Sequence, residues 1–262
     1  MRIEIDVVLD YDLPQPHDVL LQIEVAQMAD QRIVGDRLTV SSPEKLRPIE
    51  GNESVGQRTW AAAQGRFLAQ YQALVEVDRI VLPLETLTTV DPRALPALVV
   101  PYLLPSRYCA SDHFEPFVQR EFGGLEGGAK IAAMRDWIAA QVDYVSGVST
   151  SDTTASDTFV QRQGVCRDFA HLLATFARAA MIPARLVSAY APRVMPPDFH
   201  ALVEVWLDDG WHLVDPTGMA NADEVVRIAV GRDATDIAFM TVFGSAVLRD
   251  QRVIVSRSSG GA

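Results

Sequence analysis

One cysteine occupies a position that could activate its thiol. Cys166 follows Gly164 and Val165 and lies in the first turn of a helix predicted over residues 165–181. The N-terminus of a helix presents free backbone N–H groups and the positive end of the helix dipole. Both favour the thiolate, which is the nucleophilic form of cysteine. The alternative is a buried structural cysteine, and the position alone does not decide between the two.

A thiolate nucleophile needs a base within hydrogen-bond reach. His171 is near in sequence, but five residues of helix turn its side chain by about 140° from that of Cys166. His200 begins a strand predicted over residues 200–207 and is a second candidate. The alternative for His200 is a structural histidine at a strand end. The spacing therefore turns His171 away from the sulfur and leaves the role of His200 open.

Asp215, which ends the next predicted strand, could orient the imidazole if the hairpin register allows it. One register pairs Leu207 with Gly210. It makes Asp215 a diagonal neighbour of His200 on the same face, with backbones about 7–8 Å apart. The other register places Asp215 opposite Glu204, roughly 13 Å along the strand from the histidine. An Asp-Gly turn favours the second register, the proposed chemistry needs the first, and the spacing leaves the choice open.

The elements that must position these residues differ along the chain. Up to about residue 85, apolar and polar residues alternate with period two, for example over residues 3–7, 21–25 and 67–77. This alternation is typical of half-buried strands. The segments between them contain proline, glycine and asparagine, which favour turns. We therefore predict an antiparallel, sandwich-like β domain over residues 1–90.

Residues 91–262 are predicted to form a second domain that mixes helices and strands. It begins with a proline-punctuated connector over residues 91–112. Helices are predicted over residues 114–122, 128–142 and 165–181, with an exposed loop rich in Ser, Thr and Asp over residues 146–157. Strands are predicted over residues 184–191, 200–207, 211–215, 225–230 and 246–256.

Composition excludes several classes of protein. The chain has 262 residues, 23 basic and 34 acidic side chains and a net charge of −11, with no basic cluster, so nucleic acid and anionic membranes are poor partners. The longest apolar run, over residues 94–104, is too short to span a bilayer. Charged residues interrupt the N-terminal segment, so no secretory signal is expected. We expect a cytoplasmic protein in which Cys109 and Cys166 are free thiols.

Three segments together resemble a known family. GVCRDFAHL (164–172), DFHALVEVWL (198–207) and WHLVDPTG (211–218) resemble the transglutaminase-like superfamily, in the form of a bacterial cysteine protease with an N-terminal β domain. The resemblance extends over roughly residues 100–240. It implies a papain-like α+β core, with the cysteine-bearing helix packed on an antiparallel sheet. It also implies Cys166 as nucleophile, His200 as base and acid and Asp215 as orienter, no cofactor, and the register that brings Asp215 to His200.

The expected function is a cysteine hydrolase that cleaves an amide, peptide or isopeptide bond of a peptide or protein through a thioester. The backbone N–H of Cys166 would stabilise the oxyanion, and Gln163 and Gln161 are candidates for a second donor. One alternative is acyl transfer to an amine, as in a true transglutaminase. The other is a non-catalytic binding or assembly protein with the same fold. The sequence does not identify the substrate or the oligomeric state.

Overall fold

The computed structural model describes residues 1–258 and combines two antiparallel sheets with helices. The strands are β1 (Arg2–Leu21), β2 (Gln31–Val40), β3 (Arg47–Glu50), β4 (Gln57–Val77), β5 (Asp143–Tyr144), β6 (Gln163–Gly164), β7 (Ala184–Tyr190), β8 (His200–Leu207), β9 (Gly210–Val214), β10 (Val226–Gly231), β11 (Met240–Val242) and β12 (Val247–Arg257). The helices are α1 (Glu115–Phe122), α2 (Gly127–Gln141), α3 (Ala155–Gln161), α4 (Cys166–Ala179) and α5 (Ala234–Ile237). The predicted α+β class is confirmed.

The first sheet is dominated by two long strands, β1 and β4, which pair antiparallel along their length. Alternate residues of β1, including Ile3, Ile5 and Val7, are buried, as the period-two pattern predicts. The pairing shifts register between Leu13 and His17, where two prolines lack the backbone N–H that a ladder needs. β2 and β3 pair with β4, while β11 and β12 pair with β1. The last two strands, β11 and β12, therefore belong to the same sheet as the first strand. The domain division at residue 90 remains a prediction.

The second sheet has the order β10-β7-β8-β9 and carries α4 on one face. Every residue of β7 is buried, because the opposite face of the sheet is also covered: Val187 and Ala189 pack with Ala26 and Val55 of the N-terminal part. The apolar stripe of α4 is buried, as its helical spacing predicts, and part of it packs against α1–α3, where the ring of Phe176 contacts those of Phe117, Phe122, Trp137 and Phe159. Its large members are Phe169, Leu172, Leu173 and Phe176.

The prediction of a loop throughout residues 146–157 is wrong at its C-terminal end. Helix α3 begins at Ala155. Thr154 accepts a hydrogen bond from the Asp157 backbone N–H at 3.3 Å, and the Asp157 carboxylate accepts from the Thr154 backbone N–H at 2.9 Å. This reciprocal pair is a helix capping box. Threonine and aspartate favour both turns and helix starts, so composition alone misassigned the segment.

A buried ionic network joins the two sheets. Glu204 of β8 is fully buried and accepts hydrogen bonds from Arg185 and Arg227, each at 2.7 Å. Arg185 also pairs with Glu53 at 2.8 Å, and Arg227 also pairs with Asp30. The charges of Glu204 are therefore compensated on both oxygens, as a buried carboxylate requires. The network ties β8, the strand that begins with His200, to the N-terminal part of the chain.

Candidate active site

Cys166 is the first residue of α4, and the chain before it is tightly held. The Val165 backbone N–H donates to the Asp168 carboxylate at 2.8 Å, which uses one of the unpaired N–H groups at the helix start. Gly164 allows this approach, since a Cβ there would lie 2.7 Å from the Cβ of Asp168. Cys166 is partly exposed, whereas Cys109 is buried. The predicted placement of Cys166 at a helix N-terminus is confirmed.

The β8–β9 hairpin takes the first of the two registers that the sequence allows, the one that makes Asp215 a neighbour of His200. Leu207 pairs with Gly210, and Asp208 and Asp209 form the two-residue turn with φ of 45° and 56°. Positive φ at both positions is the pattern of a type I′ turn, which aspartate tolerates. Thr88, which lies just before the connector, holds the turn: its backbone N–H donates to the Asp208 carboxylate at 3.1 Å, and its carbonyl accepts from the Asp208 backbone N–H at 3.1 Å.

This register brings Asp215 to His200. Nε2 of His200 lies 2.9 Å from Oδ2 of Asp215, and both side chains are buried. Three further groups hold the carboxylate: the Thr217 backbone N–H at 2.9 Å, the Thr217 hydroxyl at 2.8 Å and the Ala220 backbone N–H at 2.7 Å. A carboxylate with this many donors keeps one orientation, and so does the imidazole that it contacts.

The electrostatics of the pair favour charge on both partners. Burial lowers the pKa of His200, but the hydrogen bond to Asp215 and the nearby Cys166 sulfur outweigh it and raise this pKa to about 10. Burial raises the pKa of Asp215, but His200 and Thr217 outweigh it and hold this pKa below its usual value. Nδ1 of His200 is buried without a hydrogen-bond partner among the described residues. The arrangement can therefore hold an imidazolium between a carboxylate and a thiol.

Cys166 and His200 both line a cavity of about 320 Å³. A larger cavity of about 790 Å³ lies on another side of Asp215 and includes neither of them. The smaller cavity is the candidate binding site, since a group bound there would contact both the sulfur of Cys166 and the imidazole of His200.

His171 is turned away from Cys166, as predicted. Its ring is completely buried, stacks on Tyr108 with centroids 4.9 Å apart and accepts a hydrogen bond from the Ala234 backbone N–H at 3.1 Å. Burial lowers the pKa of His171 to about 3, so the ring is neutral and serves as an internal hydrogen-bond acceptor.

The two glutamines lie close to Cys166 in sequence but not at the cavity. Gln161 is exposed at the end of α3, and Gln163 is half-buried in β6. Neither is among the described residues that line the cavity at Cys166. Their role as oxyanion donors stays a prediction.

Tyr144 is a neighbour of Cys166 that the sequence analysis missed. The parallel pairing of β5 with β6 places Tyr144 opposite Gly164, two residues before the cysteine. Burial and the proximity of Cys166 raise the pKa of Tyr144 to about 12, so its hydroxyl keeps its proton. The signal was weak because each of these strands has only two residues, too short for a periodic pattern. Tyr144 lies, however, in the segment immediately upstream of the predicted loop.

No helix within residues 1–258 has the length and hydrophobicity needed to cross a membrane. In the same residues, no group of three or more histidine, cysteine, aspartate or glutamate side chains is arranged to hold a metal ion.

Comparison with known proteins identifies relatives of the whole fold and of the part that carries the candidate site. Residues 118–216 match the profile of the Transglutaminase-like superfamily. A crystal structure of a putative cysteine protease from Cytophaga hutchinsonii superposes with a TM-score of 0.94 and 33% identity, covering 100% of this chain and 92% of that one. An uncharacterized protein of Mycobacterium leprae is 34% identical over 119 residues, which are 42% of each chain. An uncharacterized protein of Mycobacterium bovis is 31% identical over 109 residues. In both cases the matched region spans less than half the length of the curated relative.

Proposed function

The chain belongs to the transglutaminase-like superfamily, and from this premise we propose that it is a cysteine hydrolase that cleaves an amide, peptide or isopeptide bond through a thioester at Cys166. One observation carries the proposal. His200, which contacts the buried carboxylate of Asp215, lines one cavity together with a cysteine at a helix N-terminus. A structural cysteine needs neither a charged imidazole beside it nor access to a cavity.

The first half of the proposed reaction forms the thioester. The Cys166 thiolate attacks the acyl carbon, and the carbonyl electrons move onto the oxygen. The His200 imidazolium then gives its proton to the leaving nitrogen as the C–N bond breaks, and an amine departs. The second half reverses the proton movement: His200 takes a proton from water, the hydroxide attacks the thioester, and a carboxylic acid and the cysteine are released.

Asp215 acts on this reaction through the imidazole. Its contact with Nε2 leaves Nδ1 for the sulfur and for the leaving group. Its negative charge stabilises the imidazolium that each half of the reaction requires. We therefore assign Asp215 as a positioning residue.

The oxyanion needs hydrogen-bond donors near the acyl carbon. The backbone N–H of Cys166, at the first position of α4, has no partner within the helix and is the first donor. For the second, Gln161 and Gln163 remain candidates, and we add Tyr144, because it lies opposite Gly164, two residues before the cysteine, and its hydroxyl keeps its proton.

Comparison of the wild-type protein with Cys166→Ala tests the proposed function. Both proteins are incubated with a peptide library and with a cell-derived protein mixture, and new termini are mapped by mass spectrometry. We expect cleavages that require Cys166, and Cys109→Ala serves as the matched control because that thiol is buried elsewhere. A parallel incubation with a primary amine detects acyl transfer, which would replace the hydrolase by a transglutaminase. Identical products from wild type and Cys166→Ala would contradict both.

A further inference from the structure

The cavity at Cys166 has an apolar wall opposite its reactive atoms. Phe199 and Phe239 stack face to face with centroids 4.4 Å apart and an interplanar angle of 4°. Ile237 and Met240 line the same space. Stacked aromatic rings with aliphatic neighbours make a surface that favours an apolar group over a charged one.

The segment that forms this wall is held in place by buried contacts, so the cavity exists before any substrate arrives. At the start of α5, the Asp233 carboxylate accepts from the Thr235 backbone N–H at 3.0 Å, and Ala234 donates to the buried His171. At its other end, the Phe239 carbonyl accepts from the Gln22 backbone N–H at 2.8 Å. A preformed pocket loses little conformational entropy on binding, which sharpens its selectivity.

The volume of the cavity and the charge at its wall restrict the kind of side chain that it can bind. A volume of about 320 Å³ lies at the lower end of the range for ligand sites, which suits one large side chain and its adjoining backbone. The carboxylate of Asp198 lies at the cavity and is held by the Gln251 side-chain amide at 2.6 Å and the Phe199 backbone N–H at 2.7 Å. A fixed negative charge at this position repels an acidic side chain, because Arg167, the cation that also lines the cavity, is itself paired with Asp168 at 3.1 Å.

We propose that this cavity binds the substrate side chain next to the scissile bond and selects an aromatic or large aliphatic side chain against an acidic one. The proposal rests on the proposed function, because it takes Cys166 as the atom that substrates approach. It defines the substrate class as peptides or proteins with a large apolar residue beside the cleaved bond.

Alkylation of Cys166 by matched reagents tests the pocket without requiring turnover. The probes are chloroacetamide, N-(2-phenylethyl)chloroacetamide and N-(2-carboxyethyl)chloroacetamide, which share one reactive group. Each rate constant at Cys166 is divided by that of the same reagent with free glutathione. We expect the phenyl reagent to exceed the other two by roughly tenfold or more, the gain that burial of an aromatic ring brings.

Two variants tie the preference to this cavity. Ala238 is a half-buried residue that lines the cavity. The substitution Ala238→Trp fills the cavity and should abolish the preference for the phenyl reagent. Val160→Trp adds the same bulk on the exposed face of α3, where Val160 is 78% exposed, and should keep the preference. If Ala238→Trp does not fold by circular dichroism, Met240→Ala is used. It enlarges the cavity and should raise the relative rate of an N-(2-naphthylethyl) reagent.

The outcomes separate this proposal from the function on which it rests. Rapid alkylation of Cys166 with equal corrected rates for the phenyl and carboxylate reagents would overturn the pocket and leave the hydrolase. A second outcome is that chloroacetamide alkylates Cys166 no faster than it alkylates glutathione, while the phenyl reagent is still preferred. This outcome would count against the activated cysteine and support the pocket. Loss of the preference in Val160→Trp would also overturn the assignment, since that residue lies outside the cavity.

Discussion

Oδ2 of Asp215 lies 2.9 Å from Nε2 of His200, although 15 residues and a hairpin turn separate the two in sequence. The contact depends on the turn at Asp208 and Asp209, because a shift of the turn by one residue would move Asp215 to the level of Glu204. Thr88, which is far away in sequence, holds this turn through a backbone N–H that donates to the Asp208 carboxylate. The geometry of the candidate site is therefore decided at a point remote from its reactive atoms.

Asp215→Asn should lower turnover by roughly two to four orders of magnitude. The amide removes the counter-charge of the imidazolium and can present an N–H group to Nε2 in place of an acceptor. Steady-state kinetics on a cleaved peptide measure the loss. A thermal melt should show a folded protein, because the backbone N–H and the hydroxyl of Thr217 can still donate to the amide oxygen at the Oδ1 position. Turnover within a few fold of wild type would remove Asp215 from the mechanism.

Glu204→Gln should affect stability much more than the chemistry. It leaves Arg185 and Arg227 without the carboxylate that compensates them in the interior. Loss of one partner from a buried ionic network destabilises a protein by roughly 3–5 kcal/mol, which urea unfolding measures. In protein that remains folded, the pH dependence of activity should match wild type. A changed pH profile with unchanged stability would reverse the roles given to Glu204 and Asp215.

The two cysteines should differ in reactivity toward iodoacetamide near neutral pH. Cys166 is partly exposed, begins a helix and has an imidazole nearby, all of which favour reaction as a thiolate. Cys109 is completely buried, and burial raises the pKa of its thiol. Brief labelling followed by peptide mapping should find the modification at Cys166 well before it appears at Cys109. Equal labelling of the two in folded protein would contradict the activated thiol.

Substitution of two histidines should separate the base from its near neighbour in sequence. His200→Ala removes the ring beside Cys166 and should abolish rapid labelling of this thiol. His171→Ala should retain rapid labelling, since His171 contacts Tyr108 and Ala234 instead. It should, however, lower the thermal midpoint, because it leaves a cavity in the core. The opposite pattern of labelling in the two variants would show that the triad is misassigned.

Hydrolysis and alkylation should respond differently to high pH. The pKa of His200 is raised from 6.5 to about 10 in the folded protein, so the leaving nitrogen loses its acid as the pH rises through about 10. Peptide cleavage should then fall, while alkylation of Cys166, which needs no acid, should continue. Because the pKa of His200 is higher in the folded protein than in the unfolded chain, the charge on His200 stabilises the fold fully below pH 6.5. This contribution to the free energy of unfolding is lost between pH 6.5 and about 10. Hydrolysis that falls at pH 7–8 instead would contradict this assignment.

The sequence by itself determined the local features of this protein. The period-two pattern of β1 and β4 and the helical stripe of α4 depend on side chains only a few residues apart, and both were predicted. The start of α4 and the turn of His171 away from Cys166 follow from helix geometry alone. The three candidate catalytic residues were proposed on a different ground, the resemblance of three sequence segments to the transglutaminase-like superfamily, because local geometry left the position of Asp215 open.

Only the tertiary structure decided the relationships between distant segments. The hairpin register was undetermined because two turns were compatible with the local sequence, and the contact between Thr88 and Asp208 joins residues 120 positions apart. Two-residue strands place Tyr144 opposite Gly164, two residues before Cys166, and a backbone hydrogen bond from Gln22 anchors Phe239 at the cavity. Likewise, β12 was predicted as a strand, but its partner β1 lies at the opposite end of the described chain. Such contacts depend on long-range packing, which short-range periodicity does not encode.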